Sequence, residues 1–112
     1  MAFSEALAGR VRHLLTRRKN VEEKRMFGGV GFPLNGNLLV CVRKDSPLVR
    51  LGPEQSDEAL KEAHVSEFEI TGRGTMEGWE VVGLEGAQSD DQLKGWVHRA
   101  VKFVGTLPAK GE

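Results

Sequence analysis

The 112-residue sequence has one cysteine, no long apolar run and no excess of charge of either sign. Each lack removes a class of function. A lone Cys41 excludes an internal disulfide and a cysteine-based zinc site. It falls mid-strand between Val40 and Val42, where it reads as a small buried hydrophobe rather than a reactive thiol. No apolar stretch approaches the ~20 residues of a membrane span. Glu5, Arg10, Arg12 and His13 break the stretch from Met1 to Leu15, so no secretory signal is expected there. The expected setting is the reducing cytoplasm. Sixteen Lys and Arg balance sixteen Asp and Glu, a formal net charge of zero. A domain that grips phosphate backbones unaided carries a marked basic excess, so strong autonomous nucleic-acid binding is not expected.

Catalytic and nucleotide motifs are missing too. Gly29-x-Gly31 would need Gly or Ala at position 34 to complete a dinucleotide fingerprint, and Leu34 stands there. No Gly-Lys-Ser/Thr follows, and the glycines precede a hairpin rather than a helix. His13, His64 and His98 have no metal-ligand spacing around them, and no G-x-S-x-G elbow surrounds any serine. The paired acids (Glu22-Glu23, Asp57-Glu58, Asp90-Asp91) each fall at a helix start or in a solvated loop. No cofactor or metal is therefore expected, and the residues give no support to acid–base work by the paired acids while leaving it open.

The sequence is instead organised around residues Arg25 to Val42, two apolar runs flanking Asn35-Gly36. That dipeptide takes the positive φ angles of a tight hairpin turn. Gly28, Gly29 and Gly31 crowd the first strand, which predicts a bulge or another backbone pressed close. Pro33 cannot donate a ladder hydrogen bond, so it belongs at an edge or a bulge. In the second strand Leu38, Val40 and Val42 alternate with Leu39, Cys41 and Arg43; both faces are largely apolar, so the strand lies inside the sheet. Lys44 to Pro47 reads as a turn and Leu48 to Leu51 as a third strand.

Around this meander, spacing predicts an amphipathic helix from about Ser4 to Arg18, with Leu7, Val11, Leu14 and Leu15 on its apolar stripe. A weakly apolar surface helix is expected from Glu54 to Ala63. Glu67 to Thr71 alternates as a strand that buries Phe68 and Ile70, a glycine-rich loop spans Gly72 to Gly78, and Trp79 to Val82 forms a fifth strand. Ser89 and Gln92 make a capping box for a final helix whose Leu93, Trp96, Val97, Ala100, Val101 and Val104 share one face. The order is helix, three strands, helix, two strands, helix. Without long helical crossovers this is an α+β domain with an antiparallel sheet of about five strands. It occupies residues 1–108, with a polar tail at 109–112.

Two groups of residues are candidate contacts. Arg10, Arg12, Arg17, Arg18 and Lys19 cluster without an intervening acid, either a solvated basic helix end or an anion and nucleic-acid contact. Gly28, Gly29, Arg73 and Trp79 could line a small-molecule or anion site; against this, the glycines suit packing and both Trp79 and Trp96 suit a core. Sheet edges near Pro33 could support self-association or strand addition by a partner.

Met26-Phe27-Gly28-Gly29 with the hairpin at Asn35-Gly36 resembles the N-terminal domain of the TfoX (Sxy) competence-regulator family. So does the ordered series Leu48-Val49-Arg50-Leu51-Gly52-Pro53-Glu54, Thr71-Gly72-Arg73, Gly78-Trp79, Trp96-Val97 and Leu107-Pro108, as in the family's small single-domain members. The resemblance implies an α+β fold, no catalytic residues, and a part in transcriptional regulation of DNA uptake (competence) through protein partners, in the best-known members together with a cyclic-AMP receptor protein. Those members also carry a helical C-terminal domain, for which this sequence is expected to hold no counterpart. The leading expectation is thus an interaction module with a protein partner or a second copy of itself; the alternatives are a weak nucleic-acid binder and a small-molecule or anion site.

Overall fold

Asn35 and Gly36, at φ 53° and 83°, turn the chain between strands β2 (Gly29–Leu34) and β3 (Asn37–Arg43). The computed structural model describes residues 4–26, 29–43, 46–70 and 74–108. Before the hairpin come helix α1 (Glu5–Leu15) and strand β1 (Lys24–Met26). After it come β4 (Ser46–Arg50), α2 (Pro53–Ala59), β5 (Val65–Ile70), β6 (Gly74–Val82), a 3₁₀ turn at Leu84–Ala87 and α3 (Asp90–Val104). The six strands form one antiparallel sheet in the order β1-β2-β3-β4-β6-β5. The architecture is α+β, as the order of elements predicts.

Several boundaries differ from expectation. The single strand expected before the turn is two strands, β1 and β2, paired Met26 to Gly29. Of the two settings expected for Pro33 it takes the bulge and not the edge: its strand is interior, and the ladder shifts register between Phe32 and Pro33, which removes the need for its missing donor. The bulge leaves Leu39 as the extra residue, and both Leu39 and Val40 join the core, so Leu39 does not alternate away from Val40. The sheet edges are β1 and β5, and the Pro33 carbonyl is already taken by the Glu22 amide at 2.9 Å.

Both early helices are shorter than their periodicity suggests. Ser4 caps α1 by accepting from the Leu7 amide at 3.1 Å, but the helix ends at Leu15. There Thr16 donates its hydroxyl back to the Arg12 carbonyl, and Asn20 turns at φ 65°. Helix α2 ends at Ala59, because only Ser56 and Ala59 are buried on it and nothing holds a further turn to the sheet. Strand β6, by contrast, starts five residues before Trp79. Its residues 75–78 read as loop because glycine frames them; Gly78 at φ 89° lets the strand pass through a wide bulge opposite β5.

The helices cover one face of the sheet. Leu7, Val11, Trp96 and Ala100 form a single core with Val30, Phe32, Val42, Val49 and Val82. The capping box of α3 is complete: Ser89 Oγ accepts from the Gln92 amide at 3.1 Å and Gln92 Oε1 from the Ser89 amide at 2.9 Å. Such a cap stabilises a helix by about 1 kcal/mol. Trp96 is 7% exposed and donates its indole N–H to the Gly86 carbonyl at 3.1 Å.

Candidate functional site

Antiparallel register decides which side chains share a face, since directly opposed residues point the same way. Gly31, Cys41, Leu48 and Val81 oppose one another across β2, β3, β4 and β6, and Ser66 continues the row on β5. Two residues further along, Arg50 opposes Trp79. This is the face away from the helices. Cys41 and Leu48 are buried there yet stand outside the helix-facing core, and Phe68, Val81 and Trp79 are half-buried.

Two guanidinium groups lie over the rings on this face. The Arg50 carbon is 5.4 Å from the Trp79 ring centre and 5.8 Å from that of Phe103 at the end of α3; the Arg43 carbon is 5.3 Å from Phe68. Each contact is worth about 0.5–1 kcal/mol at a solvated site. Arg43 belongs to β3 and Phe68 to β5, with β4 and β6 between them in the sheet. Their meeting requires the sheet to curl toward this face. Burial pushes the Cys41 thiol above its ordinary range against the opposing pull of Arg43, so it is an inert thiol. The bulge at Gly78 has a second effect: the Gly78 carbonyl accepts from both Leu51 and Gly52 amides, at 2.8 and 3.1 Å, locking the end of β4 beside Trp79. Backbone thus fixes both Arg50 and Trp79.

The structure separates Gly29 from Trp79. Gly29 lies one residue beyond the Val30–Val42 pair, while Trp79 is four residues away along the ladder and three strands across, roughly 13 Å along the strands alone. A Cβ on Gly29 would land on the Val42 carbonyl oxygen, so its lack of a side chain serves strand packing. Gly28 and Arg73 lie outside the described residues, as does the side chain of Ile70. Phe68 is half-buried rather than core.

The basic cluster is partly spent within the molecule. Arg10 donates to Asp90 at 3.2 Å and to the Gln88 carbonyl at 3.1 Å, tying α1 to the start of α3. Arg12 forms a two-pronged pair with Glu23 at 2.6 and 2.7 Å. Hydrogen bonding to Arg12 holds the Glu23 carboxyl below the usual carboxylate range. Arg17, Arg18 and Lys19 are exposed in the turn after α1.

One group had no place in the sequence reading. Glu80 is 1% exposed on the helix-facing side, under α2, where Ser56 donates a hydrogen bond to its Oε2 and Oε1 has no partner among the described residues. Desolvation raises its pKa; the Ser56 bond and the Arg99 charge oppose this, while Glu67 and Asp57 add to it. It is enclosed on the far side of the sheet from Trp79. Two shallow clefts lie on the helical side. One, about 500 Å³, is walled by Glu62, His64, Asp91 and Trp96 and roofed by Arg99, which pairs with Glu62 at 2.8 Å and lies 4.5 Å over Trp96. The other, about 480 Å³, is walled by Gly9, Arg10, His13 and Asp90. Among the described residues no three His, Cys, Asp or Glu side chains converge as a metal site, and no helix is long and apolar enough to cross a membrane.

The alternation of β3 and β4 puts Arg43 and Arg50 on the same face as Trp79 once β4 and β6 are neighbours, but that adjacency has no local sequence signal. No curated protein matches the chain. The family model described as the TfoX N-terminal domain matches residues 13–104, from within α1 to the end of α3, and the chain belongs to that family.

Proposed function

We propose that this domain is a non-enzymatic cytoplasmic interaction module that works in transcriptional regulation, DNA uptake included, by docking a protein partner on the sheet face that bears Phe68 and Trp79. Membership of the TfoX N-terminal domain family supports the regulatory setting. The observation that carries the docking reading is that both rings are half-exposed beneath guanidinium groups, and neither Arg43 nor Arg50 meets a carboxylate among the described residues. Trp, aromatic and Arg side chains held together this way are the usual anchors of protein interfaces.

A capture experiment tests it. Immobilised protein in an extract of its native cells should retain a defined protein, and Trp79→Ala should lose that protein while Arg17→Glu with Arg18→Glu keeps it. Equal capture by all three would overturn the reading. The exposed Arg17, Arg18 and Lys19 favour a second reading, contact with nucleic acid through the end of α1. It predicts duplex-DNA affinity that falls steeply with salt and disappears in the Arg17→Glu, Arg18→Glu protein; no binding at low salt would end it.

A further inference from the structure

We propose that the segment docking on the curled sheet face is an acidic stretch of a protein chain, its apolar side chains lying along Phe68 and Trp79 and its carboxylates taken by Arg43 and Arg50. This rests on the docking reading above and names the chemistry of the partner.

Arg43 and Arg50 lie on this face and neither meets a carboxylate among the described residues, whereas Lys24 on the same face has Glu22 3.9 Å from its Nζ. The acids that oppose one another nearby, Glu67 and Glu80, point to the helical side. Two features then separate a carboxylate-bearing peptide from a single-stranded nucleic acid. Base stacking needs a bare ring face, whereas at 5.3 and 5.4 Å a guanidinium already lies over one face of Phe68 and of Trp79, and an aliphatic side chain needs only the ring edge. A guanidinium lying on a ring keeps its N–H fork free at the rim, which suits the two oxygens of a carboxylate. A long phosphate polyanion would also meet the balanced charge of the remaining surface, which offers it no attractive field beyond a Debye length. Cys41 and Leu48 are already buried beneath this face, so a partner meets the rings and guanidinium groups above them.

The test uses a synthetic peptide alternating Glu with Leu, its counterpart with Lys in place of Glu, and a single-stranded oligothymidine, each titrated against the whole chain while tryptophan emission is followed. The Glu peptide should change the emission, and the change should vanish in Trp79→Phe, which leaves only Trp96. Reversing both charges (Arg43→Glu with Arg50→Glu) should weaken binding about tenfold or more, and Arg50→Lys only a few-fold, because it keeps the charge and loses the fork. Raising salt should weaken binding to the unmodified protein, a readout independent of whether any variant folds. Equal binding of the Lys peptide, or oligothymidine binding that competes at Trp79, would overturn the proposal. So would silence of the Glu peptide; if a captured protein still depends on Trp79, the docking reading survives and only the acidic chemistry falls.

Discussion

The two faces of the sheet use the same residue types to opposite ends. On the helical face Trp96 is 7% exposed, its N–H is spent on Gly86, and the strands present Val30, Val42, Val49 and Val82 to three helices. On the other face Trp79 is half-buried, the Arg50 guanidinium lies near its ring and that of Phe103 from the end of α3, and Cys41 and Leu48 stand outside the helix-facing core. Hydrophobic burial is finished on the first face. On the second it is suspended, with guanidinium groups standing where packed side chains would otherwise be. The difference teaches that a tryptophan on an apolar strand pattern is not thereby a core residue; the layer above it decides.

Substitutions can break or sharpen that contrast. The largest effect is expected at Trp96→Ala, which empties a packed site and removes a buried donor; it should cost about 3–5 kcal/mol in denaturant unfolding. Gly29→Val should follow, at about 3 kcal/mol, because the added Cβ meets the Val42 carbonyl of the neighbouring strand, which cannot rotate aside. Near-normal stability of that variant would refute the packing account of the glycine. Trp79→Ala should cost only about 1–2 kcal/mol, since a half-exposed ring loses less of its burial and leaves no enclosed cavity. A loss equal to that of Trp96→Ala would erase the distinction between the faces.

The smallest effect concerns pH. Glu80 binds its proton more tightly folded than unfolded, since burial raises its pKa. Its stabilising contribution is full below the ordinary carboxylate range and declines as pH rises through the raised folded value. Stability should therefore fall from mildly acid toward neutral pH, with Glu67, Asp57 and Arg99 as the surrounding charges. Glu80→Gln should flatten that slope in thermal melts across the same range. An unchanged slope would remove Glu80 as its source.

Much of the fold was legible where local chemistry settles local structure. Asn35-Gly36 demanded a hairpin turn, Ser89 and Gln92 demanded a helix start, and the α3 periodicity named its buried face. The family, too, could be read from the ordered motifs, and the matched span of residues 13–104 agrees. What could not be read was long-range adjacency. Strand β4 lies between β3 and β6 although α2 and β5 intervene in the chain, and only that placement sets Arg50 against Trp79. The pairing of Arg10 and Arg12 was hidden for the same reason: their partners, Asp90 and Glu23, lie outside α1. Glu80 was within reach, because alternation puts it beside Val82 on the core face, but a lone acid in a strand carries no label that says buried.

Quenching of Trp79 by acrylamide tests the central claim most directly, read in a Trp96→Phe protein with and without the captured partner. The account predicts that Trp79 is readily quenched in the free protein and becomes shielded in the complex. Equal quenching in both states would contradict it and move the docking surface elsewhere on the molecule.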